Sequence, residues 1–206
     1  MAERTTALYR LVTVPFLYRS FQNLLGGVSA RNALRDQFFP DIVGKRLLEV
    51  GCGPGTWAPH LAEAACYVGV DWNQNHIEEA TAQYGTESVQ FHCGNVVEIE
   101  LGEERFDYVF ALGLLHHLDD TQAAALIASI TRMLTPEGTF ISVDPVYHDG
   151  QHAFAKWMNN RDSGQNIRKA PEYKALVEPY FVTTKDALCI DKLRIPYSHY
   201  IMCCRN

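Results

Sequence analysis

The segment Leu47-Leu48-Glu49-Val50-Gly51-Cys52-Gly53-Pro54-Gly55-Thr56-Trp57 reads as an apolar strand running into a glycine-rich turn that opens a helix at Thr56. Glycines at alternate positions turn the backbone tightly and let a ligand approach without meeting Cβ atoms. Pro54 stiffens the turn. The spacing is Gly-x-Gly-x-Gly, distinct from the Gly-x-Gly-x-x-Gly with which nicotinamide enzymes bring a pyrophosphate to a helix N-terminus. The acid before the first glycine, Glu49, suits a ligand with an ammonium group better than one with phosphates. A second acid, Asp71, ends the apolar run at residues 67–70. A carboxylate there can accept hydrogen bonds from both hydroxyls of a ribose. Asp also favours helix N-caps, but Asn73 is placed to cap the next helix and leave Asp71 for a ligand.

Three later segments fall in order behind these: His92-Cys93-Gly94-Asn95-Val96, then Phe106-Asp107-Tyr108-Val109-Phe110-Ala111-Leu112-Gly113-Leu114-Leu115-His116-His117-Leu118, then Leu134-Thr135-Pro136-Glu137-Gly138-Thr139-Phe140. Together the set resembles the class I (Rossmann-like) S-adenosylmethionine-dependent methyltransferases of the small-molecule type, from about Lys45 to Val143. The resemblance implies S-adenosylmethionine as cofactor and S-adenosylhomocysteine as product. It implies cofactor contacts from Glu49, Gly51, Cys52, Gly53 and Gly55, and from Asp71 with Trp72 beside it. Asn95 and Val96 then border the adenine, and Ala111, Leu112 and His117 complete the wall. One departure is that the family's usual Gly-Asp at the adenine segment is Gly94-Asn95 here, so any bond to the exocyclic amine is uncharged.

A sulfonium is already an activated methyl donor, so the resemblance implies in-line alignment of an acceptor more than acid–base chemistry. A base is needed only where the acceptor loses a proton. His116 and His117 after the fourth strand, and Asp144 and His148 after the fifth, are the candidates. The alternative for the histidines is that one packs beside the cofactor and the other caps the helix near Asp119-Asp120. Tyr147 is a candidate acceptor contact. Arg161 and Arg168, in the polar stretch 150–179, offer guanidinium groups to a substrate carboxylate or phosphate, unless that stretch is a solvated loop. Tyr197 and His199 share a facing by period-two alternation, and Tyr18 is among the N-terminal aromatics that could roof the site.

Short apolar runs at 46–50, 67–70, 89–93, 108–112 and 139–143 predict strands, alternating with helical patterns near 57–65, 75–84 and 121–134. That alternation predicts a parallel sheet covered on both faces, with ligands at the carboxyl ends of the strands. Runs at 181–190 and 196–203 predict an antiparallel hairpin across the turn Asp191-Lys192. The expected fold is α/β: a Rossmann-like three-layer sandwich with a mostly parallel seven-stranded sheet, a C-terminal antiparallel hairpin and an N-terminal helical lid. It is one domain over 1–206, with a helical cap at 1–40, a cofactor core at 45–143, and substrate-side insert and closing strands at 144–206.

Composition narrows the partners. A formal net charge of −6 disfavours nucleic acid, and no apolar run approaches the length of a membrane span. The start of the chain lacks the apolar core of a secretory signal. The six cysteines form no Cys-x-x-Cys pair and no zinc-finger spacing, so reduced thiols in a cytoplasmic protein and no metal site are expected. Monomer and homodimer both fit. Two other readings use the same loop: a catalytically silent S-adenosylmethionine-binding module, and an NAD-dependent oxidoreductase with Asp71 on the nicotinamide ribose.

Overall fold

Most of the short apolar runs bury side chains on both faces, as in a parallel sheet covered on both sides, while the run at residues 89–93 is only partly buried. The computed structural model of the protein describes residues 27–39, 41–99, 101–102, 105–190 and 197–206. Its strands are Arg46–Val50 (β1), Cys66–Asp71 (β2), Val89–Cys93 (β3), Phe106–Leu112 (β4), Leu134–Pro145 (β5), Thr183–Cys189 (β6) and His199–Arg205 (β7). They form one sheet in the order β3-β2-β1-β4-β5-β7-β6. The first five run parallel, and β7 inserts antiparallel between β5 and β6. The chain leaves β1 outward to β2 and β3, then returns to β4 on its other side. The switch point therefore lies beyond the carboxyl ends of β1 and β4, where such sheets open a crevice.

Period-two alternation sorts β1 between two cores. Leu48 and Val50 face Val109, Ile127, Ile130, Phe140 and Tyr173. Leu47 faces the other way, against Phe39, Trp57, Leu61, Tyr67 and Phe110. Helices Asp120–Met133 (α3) and Ala170–Val177 (α5) carry the first layer, and Gly27–Phe38 (α1) belongs to the second. In α3, Ala123, Leu126, Ile127 and Ile130 are buried at helical spacing, and Asp119 with Gln122 closes a capping box at its start. Helix Gln74–Tyr84 (α2) is capped by Asn73, whose side chain accepts from the Asn75 N–H, as expected. The remaining helix is Ala153–Asn159 (α4).

Two expectations change. Residues 57–65 form no α-helix, only a 3-10 turn at Ala58–His60 that includes Pro59. Beyond it the chain is drawn out into extended pairing: Ala64 bridges Val43, and the Ala65 N–H donates to the Lys45 carbonyl at 2.9 Å. Thr56 accordingly opens no helix. The stretch 150–179 is not a bare loop but holds α4 and α5. The lid expected at the N-terminus, Tyr18 included, lies outside the described residues apart from α1, and so does the turn at Asp191-Lys192.

All six cysteines are free, and burial pushes the Cys203 and Cys204 thiols up to about 11 and about 12, which suppresses thiolate chemistry. Among the described residues no helix is long and apolar enough to cross a membrane.

Candidate functional site

The turn after β1 is held to the end of β2 by backbone bonds: the Gly51 and Cys52 N–H groups both donate to the Val70 carbonyl, at 2.8 and 3.1 Å. Gly51, Gly53 and Gly55 all have positive φ, at 75°, 51° and 71°. A Cβ at Gly55 would sit 2.9 Å from the Phe91 ring, whereas one at Gly53 would meet no atom of the described residues within 4 Å. The turn is thus packed on its sheet side and open where a ligand would approach.

Two buried acids flank it. Glu49 is 3% exposed and accepts a hydrogen bond from the hydroxyl of Tyr67, one strand across. Burial and the Glu49 charge push the Tyr67 hydroxyl far above its ordinary pKa, so it stays a donor. Asp71, 8% exposed, accepts from the Gly53 N–H and the Asn73 N–H, each at 2.9 Å. Burial opposes its charge, but the neighbouring His76 and these two N–H groups outweigh it and hold the carboxyl below its ordinary value. Burying carboxylates is costly unless they are paired, and both are held by hydrogen-bond donors at the edge of the turn. Cys52 lies buried within the turn, its thiol pushed up chiefly by burial. Trp72 projects outward, 75% exposed.

The segment at residues 92–96, expected to border the adenine, is less open than that role requires. The Asn95 side-chain oxygen already accepts from the Val97 N–H at 3.1 Å, and its amide donates to Glu98. Asn95 therefore organises its own turn, and Val96 is buried beneath it. Ala111 and Leu112 end β4, with Ala111 buried and Leu112 half-buried.

Beyond β4 the two histidines divide. His116 is buried at 5% exposure. Its Nδ1 lies 2.9 Å from Asp144 Oδ1, which also accepts the His116 backbone N–H at 3.1 Å, and its Nε2 lies 3.3 Å from Asp162 Oδ1. Burial lowers its pKa, but the bonds to Asp144 and Asp162 win and push it up to about 9. Both ring nitrogens of His116 thus face carboxylates, so the geometry engages them within the protein and turns neither toward an acceptor, unlike the expected general base. Asp144, 1% exposed, is bound to it through Oδ1. His117 is exposed, its ring 4.1 Å from that of His116. Partial desolvation of the ring, and then the neighbouring His116, lower its pKa from the ordinary value.

Other candidates are already engaged. His148 has Nδ1 at 2.9 Å from the Asp149 carbonyl and Nε2 at 2.9 Å from the Ser198 hydroxyl, so it ties the loop after β5 to the start of β7 and is not placed as a base. Arg168, expected to meet substrate, is 8% exposed and spends its guanidinium internally. It donates to the carbonyls of Leu115 at 3.0 Å, Leu118 at 2.8 Å and Asn166 at 3.1 Å, and to Asp120. Arg168 thus braces the turn that carries both histidines. Arg161 lies over the exposed Trp157 ring at 4.3 Å. The Tyr147 hydroxyl donates to Asn160 at 2.8 Å. Tyr197 and His199 meet edge-to-face at 5.0 Å, and burial holds His199 down to about 4, hence neutral. Tyr67 and Asp162 carried no role in the sequence reading. A strand tyrosine reads as core, while Asp162-Ser163-Gly164 has the look of an Asx turn.

The methyltransferase domain family matches this chain over residues 47–138. An uncharacterized methyltransferase of Mycobacterium tuberculosis is 29% identical over 148 residues, covering 68% of this chain and 74% of that protein. A fatty-acid O-methyltransferase of Mycolicibacterium smegmatis is 30% identical over 107 residues, covering 50% of this chain and 38% of the relative. Among solved structures, phosphoethanolamine N-methyltransferase 2 of Haemonchus contortus superposes with a TM-score of 0.75 at 16% identity, over 97% of this chain and 59% of the other, a likeness of fold. With the glycine turn and its two flanking acids inside the matched span, residues 47–138 are similar to the methyltransferase domain family, and the chain has the Rossmann-like fold of solved methyltransferases.

Proposed function

We propose that the chain transfers the methyl group of S-adenosylmethionine to a small-molecule acceptor by in-line displacement, leaving S-adenosylhomocysteine. The observation that carries this reading is the placement of two buried carboxylates, Glu49 and Asp71, on either side of a turn that is open at Gly53. The cofactor's ammonium then meets Glu49 and its ribose hydroxyls meet Asp71. Trp72 and Val96 border the adenine, and Ala111, Leu112 and His117 line the wall toward the acceptor. This supports a sulfonium cofactor over a dinucleotide, whose phosphates a buried acid would repel.

The acceptor side is bounded by His117, Tyr147 and Asp162, with His199 nearby. What these residues contribute is alignment of the acceptor behind the methyl carbon and exclusion of water, which accounts for much of the acceleration in such displacements. Relatives named for O-methyl transfer, the fatty-acid enzyme and a ubiquinone biosynthesis enzyme of Neisseria meningitidis, favour an oxygen acceptor. On that reading the carbon–sulfur bond breaks with its electron pair going to sulfur, a carbon–oxygen bond forms, and the acceptor proton leaves to solvent.

The test is release of S-adenosylhomocysteine when the protein is incubated with S-adenosylmethionine and a panel of carboxylic acids, phenols and amines. Acceptor-dependent release supports the reading. Tight cofactor binding with no release across the panel supports the silent binding module instead.

A further inference from the structure

We propose that His116, His117 and Asp162 form a binding site for a divalent cation of the zinc class at the carboxyl ends of β4 and β5. One ligand atom from each of the three lies within 4.8 Å of the others. Sequence spacing gave no hint of it, because His116 and His117 are adjacent and Asp162 arrives from beyond α4.

The arrangement around His116 is that of a metal ligand with its supporting carboxylate. Its Nδ1 faces Asp144 Oδ1 at 2.9 Å, which fixes the ring and leaves Nε2 pointing at Asp162. Metal-bound histidines hold their second nitrogen in this way. A ring nitrogen and a carboxylate oxygen face one another stably only with a cation between them, a proton or a metal. A charge-assisted N–H···O bond closes to about 2.7–2.9 Å, the distance at Nδ1. The Nε2 to Asp162 Oδ1 distance is 3.3 Å. Two ligands bonded to tetrahedral zinc at about 2.0–2.1 Å stand about 3.3–3.4 Å apart, so this pair already spans one edge of such a site.

Asp162 is held there by construction. Its Oδ1 accepts from the Gly164 N–H at 2.7 Å, and the Asn166 N–H donates to the His116 carbonyl at 2.9 Å. Gly164 packs so closely that a Cβ would lie 2.1 Å from His116 Cδ2. The loop is thereby pressed onto the histidine with its acid facing inward. His117 is exposed, and one of its ring nitrogens already lies within 4.8 Å of the other two ligand atoms. Two imidazoles and one carboxylate favour a borderline ion such as Zn2+ or Co2+ over Mg2+ or Ca2+. Three protein ligands leave a position for water or an oxygen of a small ligand.

The experiment is calorimetric titration of the untagged protein with ZnCl2, with the visible spectrum of Co2+ as a second readout and thermal unfolding as a check on folding. The expected result is one ion per chain, a zinc-induced rise in unfolding temperature, and affinity at least tenfold weaker in both Asp162→Asn and His117→Gln. Asn keeps the acceptor for the Gly164 N–H, so the first variant retains the loop. Asp144→Asn, which changes the supporting carboxylate, should weaken binding by about 10–100-fold. Failure of zinc to bind, or binding of equal strength in the wild type and both ligand variants, would overturn the site. The titration needs no methyl donor, so neither result bears on the proposed transfer reaction.

Discussion

Asp71 accepts a hydrogen bond from the backbone N–H of Gly53 at 2.9 Å, joining the end of β2 to the middle of the glycine turn after β1. One carboxylate therefore shapes the loop and presents charge to the ligand that the loop receives. Asp71→Asn leaves a single acceptor oxygen for the Gly53 and Asn73 N–H groups. It should weaken S-adenosylhomocysteine binding about tenfold and lower unfolding free energy by about 1–2 kcal/mol. Calorimetry and denaturant unfolding check the two effects separately.

Tyr67→Phe removes the hydroxyl that donates to buried Glu49. A buried charge that loses a hydrogen bond costs about 1–3 kcal/mol, which should appear as a lower denaturant midpoint with an unchanged slope. Cofactor binding should fall as well, because Glu49 loses one of the bonds that orient it. An unchanged midpoint would mean that the pair is not formed.

The pair Asp71–His76 predicts a pH dependence. His76 Nδ1 lies 3.6 Å from Asp71 Oδ1, and the carboxylate raises the His76 pKa while His76 helps to lower that of Asp71. The Asp71 contribution is present above its ordinary pKa and fades as pH falls through the depressed one. The His76 contribution is complete below its ordinary pKa and is lost as pH rises through the raised one. The difference in unfolding temperature between wild type and His76→Gln should thus be largest near about pH 5–6 and shrink on the alkaline side. A difference that grew with pH would contradict the pairing.

Arg168→Met should be more damaging than its surface partner suggests. Asp120 is largely exposed and its ion pair adds little, but the Leu118 carbonyl would lose the Arg168 donor and the Leu115 carbonyl would keep only the Leu118 N–H. A loss of about 1–3 kcal/mol is expected from the lost hydrogen bonds, with methyl transfer falling further because the His116–His117 turn loosens. Lys at this position should restore only part of the stability, since an ammonium cannot reach all these acceptors at once.

The cofactor side was legible in the sequence because it is local. Glu49, the three glycines and Asp71 lie at the ends of two adjacent strands, and continuous apolar runs betray such strands. Residues 57–65 misled because Trp57, Ala58 and Leu61 are buried at spacings that mimic a helix while serving a 3-10 turn and an extended return. The acceptor side is assembled from distant segments. Arg168 reaches Leu115 across 53 positions, and nothing near either residue signals the contact. Arginine in a polar stretch resembles a ligand for anions until its donors are seen to end on carbonyls. Asp162 gains meaning only once the loop has been folded against His116.

The most direct test of the account is calorimetric titration of the protein with S-adenosylmethionine, S-adenosylhomocysteine and NAD, with Asp71→Ala alongside. The account predicts saturable binding of the first two, no binding of NAD, and a loss of about 10–100-fold in the variant, the weight of hydrogen bonds to a charged group. Binding of NAD in preference to both, or cofactor affinity indifferent to Asp71, would contradict it.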